Sequence, residues 1–143
     1  MIKGYIVLFI ACLMLLAGSC DKEREHPVPH VRVDFNFNII HYDLNSPGMS
    51  HQFSRSESGG YQGIIVYRVS MDEFRAFDRA CPGDPNNCIL GLLENDHLRA
   101  GAPCCDSVFL VIDGSVVEGS SRYPLKQYNA IFDPSTNRLT IRN

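Results

Sequence analysis

Cys12, Cys20, Cys81, Cys88, Cys104 and Cys105 carry most of the chemistry this chain can offer. A thiolate can take an acyl group, pair into a disulfide, or ligate zinc or an iron–sulfur centre. The histidines are less informative. His26 and His30 fall in a charged, proline-containing stretch and read as solvated, and His41 and His51 flank a loop. His97 precedes Ala102 by five residues and is the histidine closest in sequence to Cys104 and Cys105, where it reads as a loop residue, with a displaced metal ligand as the alternative. No Ser-His-Asp set and no carboxylate pair has a spacing that implies hydrolysis, so no enzymatic activity is expected.

The first cysteines are explained by the N-terminus. Lys3 is a short positive region, and Tyr5 to Ala17 is an apolar run of thirteen residues, too short for a comfortable membrane span. It ends in Leu16-Ala17-Gly18-Ser19-Cys20, which resembles the bacterial lipobox. Small residues let a peptidase approach the backbone, and the cysteine supplies the sulfur that accepts lipid. The expectation is a signal peptide over 1–19, lipid attachment (palmitate among the acyl chains) at Cys20, and a tether over 20–30. That places the protein in the cell envelope, anchored to a bacterial membrane and facing the periplasm or the cell surface. Cys12 leaves with the leader, so Cys81, Cys88, Cys104 and Cys105 remain in an oxidising compartment. An even number there favours two bridges.

The elements that must position these cysteines read as strands. Val31 to Ile40 alternates apolar and polar residues, the period of a half-buried strand. Gly63 to Val69 is a buried strand, and Phe74 to Ala80 alternates again. Ser107 to Ile112, Ser115 to Val117, Tyr128 to Phe132 and Leu139 to Arg142 complete the set, with Asp113-Gly114 as a hairpin signal. Ser54 to Gly60 reads as an exposed loop, and Met71 to Phe74 as one helical turn because Asp72 and Glu73 suit a helix start. Tyr61, Tyr67, Tyr123 and Tyr128 read as core and edge aromatics. Short strands with almost no helical periodicity imply one all-β domain over 31–143, a sandwich or small barrel of six to ten strands with less than about 15% helix.

From Phe74 to Tyr128 the order of motifs resembles the Rieske iron–sulfur domain. A strand leads into a loop at Cys81-Pro82, and a second loop holds Pro103-Cys104-Cys105-Asp106-Ser107-Val108-Phe109. Asp113-Gly114-Ser115-Val116-Val117-Glu118-Gly119 and Pro124-Leu125-Lys126-Gln127-Tyr128 follow, as the family's hairpin and next strand do. The resemblance implies a Rieske-like (ISP-type) small antiparallel β-sandwich or barrel with two cysteine-bearing loops. It also implies a ligand set of two thiolates and two imidazoles. Cys81 matches the first cysteine, but Gly83, Ala102 and Cys105 stand at the other three positions. Glycine and alanine have no side chain that can hold iron, so no cofactor is expected.

The resemblance further suggests the pairing. Cys88 and Cys104 match a disulfide that joins the two loops in some Rieske domains, which leaves Cys81 and Cys105 to pair with each other. Cys81–Cys104 with Cys88–Cys105 is the alternative. The reading is therefore a membrane-anchored lipoprotein whose domain has lost its cluster and acts as a disulfide-stapled binding or structural module, with an envelope protein as partner. The alternative is a [2Fe–2S] electron carrier with mainly cysteine ligands. The chain carries a formal charge of −3 and has no basic patch, so nucleic acid is not an expected partner.

Overall fold

The computed structural model describes residues 25–143, so the leader and Cys20 lie outside the described residues. Ten strands account for nearly all the regular structure. They are β1 (Asp34–Asn38), β2 (Ser50–Phe53), β3 (Ile64–Arg68), β4 (Phe74–Asp78) and β5 (Gly91–Leu92), then β6 (Arg99–Gly101), β7 (Val108–Leu110), β8 (Val116–Glu118), β9 (Gln127–Asp133) and β10 (Arg138–Arg142). Six form one antiparallel sheet in the order β1-β10-β9-β4-β3-β2, and four form a second in the order β5-β6-β7-β8. The all-β expectation holds, with helix restricted to a 3₁₀ turn at Ile39–Tyr42 and one α turn at Arg55–Ser58 among the described residues.

The large sheet curls until its edges meet. Phe37 of β1 and Phe53 of β2 sit at opposite ends of the strand order, yet their ring centroids are 4.8 Å apart. Tyr42 and Phe35 add edge-on contacts to Phe53 at 4.8 and 5.0 Å. Ring packing of this kind adds about 0.5–1.5 kcal/mol per pair to the burial itself. The result is a half-barrel filled by Phe37, Leu44, Phe53, Ile64, Val66, Leu139 and Ile141.

β3 explains why Gly63 to Val69 reads as an unbroken apolar run. Ile64 and Val66 enter the half-barrel, while Ile65 and Tyr67 face the other way, onto Ala100 and Val111 of the small-sheet side. A strand buried on both faces loses the period-2 signal. A third cluster of Phe77, Cys81, Cys88, Leu90, Phe109 and Leu125 lies beneath the cysteine loops.

Three local readings are corrected. Met71 to Phe74 is not helical: Val69 and Ser70 both donate their N–H to the Glu73 carbonyl, at 2.8 and 3.2 Å, closing a tight β3–β4 turn. Met71 is 63% exposed, so nothing is buried that would stabilise a helix there. Ser54 to Gly60 is not a plain loop. Glu57 accepts from the Ser54 N–H at 2.8 Å and from its hydroxyl at 2.5 Å, which starts the α turn. Residues 26–28, expected in a solvated tether, lie against the domain: Val28 is fully buried, and Lys126 Nζ donates to its carbonyl at 2.9 Å.

The fold also buries a cation that the sequence does not flag. Arg68, 5% exposed, donates to the carbonyls of Leu44, Ser70 and Met71 and lies 5.1 Å over the Phe74 ring. Three carbonyl dipoles and a ring face take the place of a carboxylate partner.

Candidate functional site

β4 ends at Asp78, and the chain enters the first cysteine loop through Ala80, which bridges Ile89 across the loop's neck. One residue further in, the Cys81 N–H donates to the Cys88 carbonyl at 3.0 Å. Inside the loop, Asp84 N–H donates to the Cys81 carbonyl, and Cys88 N–H to the Asp84 carbonyl, both at 3.1 Å. The outer side is held by Gln62, whose amide donates to the carbonyls of Pro85 and Asn86 at 3.1 and 3.2 Å.

Asp78 anchors this arrangement. It is fully buried, and its Oδ1 accepts from the N–H of Gln62 at 3.1 Å and of Ala80 at 2.8 Å. Its Oδ2 accepts from Tyr61 N–H at 2.5 Å and from the Tyr128 hydroxyl at 2.7 Å. Burial pushes the Tyr128 phenol far above its ordinary value, and the adjacent Asp78 carboxylate pushes it further, so it stays a donor. The carboxylate thus ties β4 to β9 and to the segment that grips the first loop.

The second loop runs from Ala102 to Ser107 between β6 and β7, turned by a Cys105 N–H to Ala102 carbonyl bond of 3.0 Å. A third loop crosses it. Ser107 is fully buried, accepts from Ser121 N–H at 2.9 Å and donates to Asp106 Oδ1 at 2.8 Å. The Ser120 and Ser107 hydroxyls on its oxygens hold the Asp106 carboxyl below the usual carboxylate range. Gly119 is what lets the third loop lie so close. Its φ is +89°, and a Cβ there would stand 2.2 Å from the Asp106 carbonyl oxygen.

Disulfides Cys81–Cys105 and Cys88–Cys104 join the first two loops, with Cα separations of 6.2 and 5.7 Å. This is the pairing the resemblance suggests, and the alternative is not seen. At 24 and 16 residues the spans give chain-entropy gains of about 3 kcal/mol each. The sulfurs are close packed, with Sγ of Cys81, Cys88 and Cys105 all within 4.8 Å of one another.

The positions set against Rieske ligands do not make a cluster site. Gly83 lies beside the first bridge, where a Cβ would stand 3.7 Å from Cys81 Sγ, and it brings no donor. Ala102 packs as an apolar side chain against the cluster beneath the loops. Cys81 and Cys105 spend their sulfurs on each other. His97 is exposed and meets Ser50 Oγ at 3.2 Å, and it is not in the sulfur group. The donor set does not fit two thiolates and two imidazoles.

What the loops do make is a cleft of about 460 Å³, with Cys81, Cys104 and Cys105 in its wall beside Asp84, Asp106 and Arg122. Pro27 closes one side, because the chain enters the domain there. His26 Nε2 donates to the Pro124 carbonyl at 2.9 Å, while its Nδ1 accepts from Val28 N–H at 3.1 Å. The His26 ring meets Tyr123 edge-on at 5.7 Å. Tyr67 and Tyr128 are buried, as read from the sequence, while Tyr61 is half-buried and bonded to Asn86.

No protein family and no curated protein matches this chain. Among solved structures it is similar to a chain described as the small subunit of an NADH-dependent nitrite reductase from Mycobacterium tuberculosis, at 16% identity and a TM-score of 0.46, over 80% of this chain and 97% of that one.

Proposed function

We propose that this protein is a lipid-anchored component of the bacterial cell envelope whose Rieske-like domain carries no iron–sulfur cluster and serves as a disulfide-stapled binding module. The observation that carries this reading is the use of the cysteines. All four in the domain are consumed in two bridges, including Cys81 and Cys105 at expected ligand positions, while Gly83 and Ala102 offer no replacement. The cleft over the bridges is where a ligand or an envelope partner binds.

Two measurements test it. The purified protein is expected to be colourless and free of stoichiometric iron, and the Cys20→Ala variant is expected to leave the membrane fraction. Two iron atoms per chain with visible absorbance would overturn the first part. A variant that stays as firmly bound as the parent would overturn the second. The close packing of the Cys81, Cys88 and Cys105 sulfurs supports a second reading, in which the reduced thiols hold a metal or a [2Fe–2S] centre for electron transfer. The same iron analysis decides between the two.

A further inference from the structure

The bridges sit too near each other to act as separate staples. Cys88 Sγ lies within 4.8 Å of both sulfurs of the Cys81–Cys105 bridge. Exposure is graded across the group. Cys104 is exposed and Cys105 half-buried, whereas Cys81 and Cys88 are 2% and 0% exposed. Cys104 faces the cleft, and Cys88 does not reach it.

The neck of the first loop adds a second observation. Ala80 and Ile89 pair as antiparallel partners, and the Cys81 N–H donates to the Cys88 carbonyl just inside them. Cross-strand neighbours have Cα atoms about 4.5–5.5 Å apart, inside the span a disulfide accepts. Cys81 and Cys88 follow directly inside that pair, with their sulfurs within 4.8 Å, which places them within reach of each other.

We propose that the cleft is a thiol–disulfide exchange site for a dithiol reductant, with Cys104 attacked from outside and Cys88 relaying the exchange to Cys81. The proposal rests on the bridged, cluster-free reading above. A thiolate of the reductant attacks Cys104 Sγ, forming a mixed disulfide and releasing Cys88 as thiolate. The second thiol of the reductant resolves the mixed disulfide, leaving the reductant oxidised and Cys104 as a thiol. Cys88 thiolate attacks Cys81 Sγ, forming Cys81–Cys88 and releasing Cys105. The net change is one dithiol oxidised to a disulfide, one of two bridges lost, and its two protons moved to Cys104 and Cys105. The first loop keeps a bridge of its own, and the second loop presents an adjacent pair of thiols to the cleft.

The tryptic map makes the test direct. Cleavage after Arg79, Arg99 and Arg122 places Cys81 and Cys88 in one peptide and Cys104 and Cys105 in the next. The full chain, purified in detergent, is first assayed for iron and free thiols. It is then treated with one equivalent of dithiothreitol, quenched in acid, alkylated and digested. The expected products are two unlinked peptides, the first internally bridged and unlabelled, the second alkylated on both cysteines. Peptides that stay linked, with labels on Cys88 and Cys104, would overturn the relay. Iron or free thiols in the starting protein would instead overturn the reading beneath it. The Cys104→Ser variant reaches the same end state without reductant, and separated peptides are expected from it directly. If that variant does not fold, the titration of the parent protein still decides.

Discussion

Asp78→Ala is expected to destabilise the domain by about 3–5 kcal/mol, because it strands four donors in a buried site. The donors are the N–H groups of Tyr61, Gln62 and Ala80 and the Tyr128 hydroxyl. A buried donor without an acceptor costs about 1–3 kcal/mol, and water admitted to the void recovers part of the sum. Asp78→Asn is the informative comparison. It keeps the side-chain shape and one acceptor oxygen but turns an amide NH₂ toward two of the donors, so its cost is about 1–3 kcal/mol. Urea unfolding followed by circular dichroism measures both. An alanine variant within about 1 kcal/mol of the parent would show that the network does not hold the fold. The effect also spreads to the site, since Tyr61 and Gln62 are the residues that grip Pro85 and Asn86 in the first cysteine loop.

The second large effect is expected at Gly119. Gly119→Ala meets two penalties at once. An L residue at positive φ costs about 1–2 kcal/mol. The added methyl would also fall 2.2 Å from the Asp106 carbonyl and 2.5 Å from Ser107 Oγ, so the third loop must lift away from the second. The total is about 3–5 kcal/mol, with loss of the Ser121 to Ser107 hydrogen bond. Gly59→Ala separates the two effects. Gly59 has φ +72° and nothing within 4 Å of where the methyl would stand, so only the conformational cost applies. Unfolding free energies that fall equally for the two variants would refute the contact argument. A further readout is the rate at which dithiothreitol opens the bridges, which rises for Gly119→Ala and stays unchanged for Gly59→Ala.

These two residues show where sequence reading stops. Strands with a clean period or a dense apolar run were legible: β1, β3, β4, β7, β8, β9 and β10 all fall within or close to the stretches their patterns marked. β2, β5 and β6 were not. SHQF has one apolar residue in four, and β5 and β6 have two and three residues, too few to show any period. The four cysteines were legible as bridge-formers from type and compartment. Their pairing came from a family resemblance, and it needed the fold to bring the loops together. Asp78 looked like an ordinary polar position in FRAFDRA, because hydrogen bonds to backbone groups 16 and 17 residues away leave no local pattern. The Ser54–Glu57 capping box starts a helix only one turn long, too short to carry a helical period in the sequence. Gly119 was visible as part of a motif, but its reason, a carbonyl on another loop, was not.

The way the chain joins the domain limits what can reach the cleft. His26 to Val28 are held against Tyr123, Pro124 and Lys126. Six residue steps separate His26 from Cys20, and whatever shape they take, covalent geometry caps their reach at about 20 Å. A domain of this size is about 30–35 Å across. With lipid on Cys20 the leash is shorter than the body it holds, and it is attached on the cleft side through Pro27. Under the proposed anchoring the domain would swivel on the bilayer but would not lift the cleft clear of it by its own diameter. A bulky soluble protein would collide with headgroups before docking, whereas a small dithiol, or a partner itself seated in the membrane, would not. In that arrangement access would be filtered by height above the lipid, before any side chain in the cleft makes a selection.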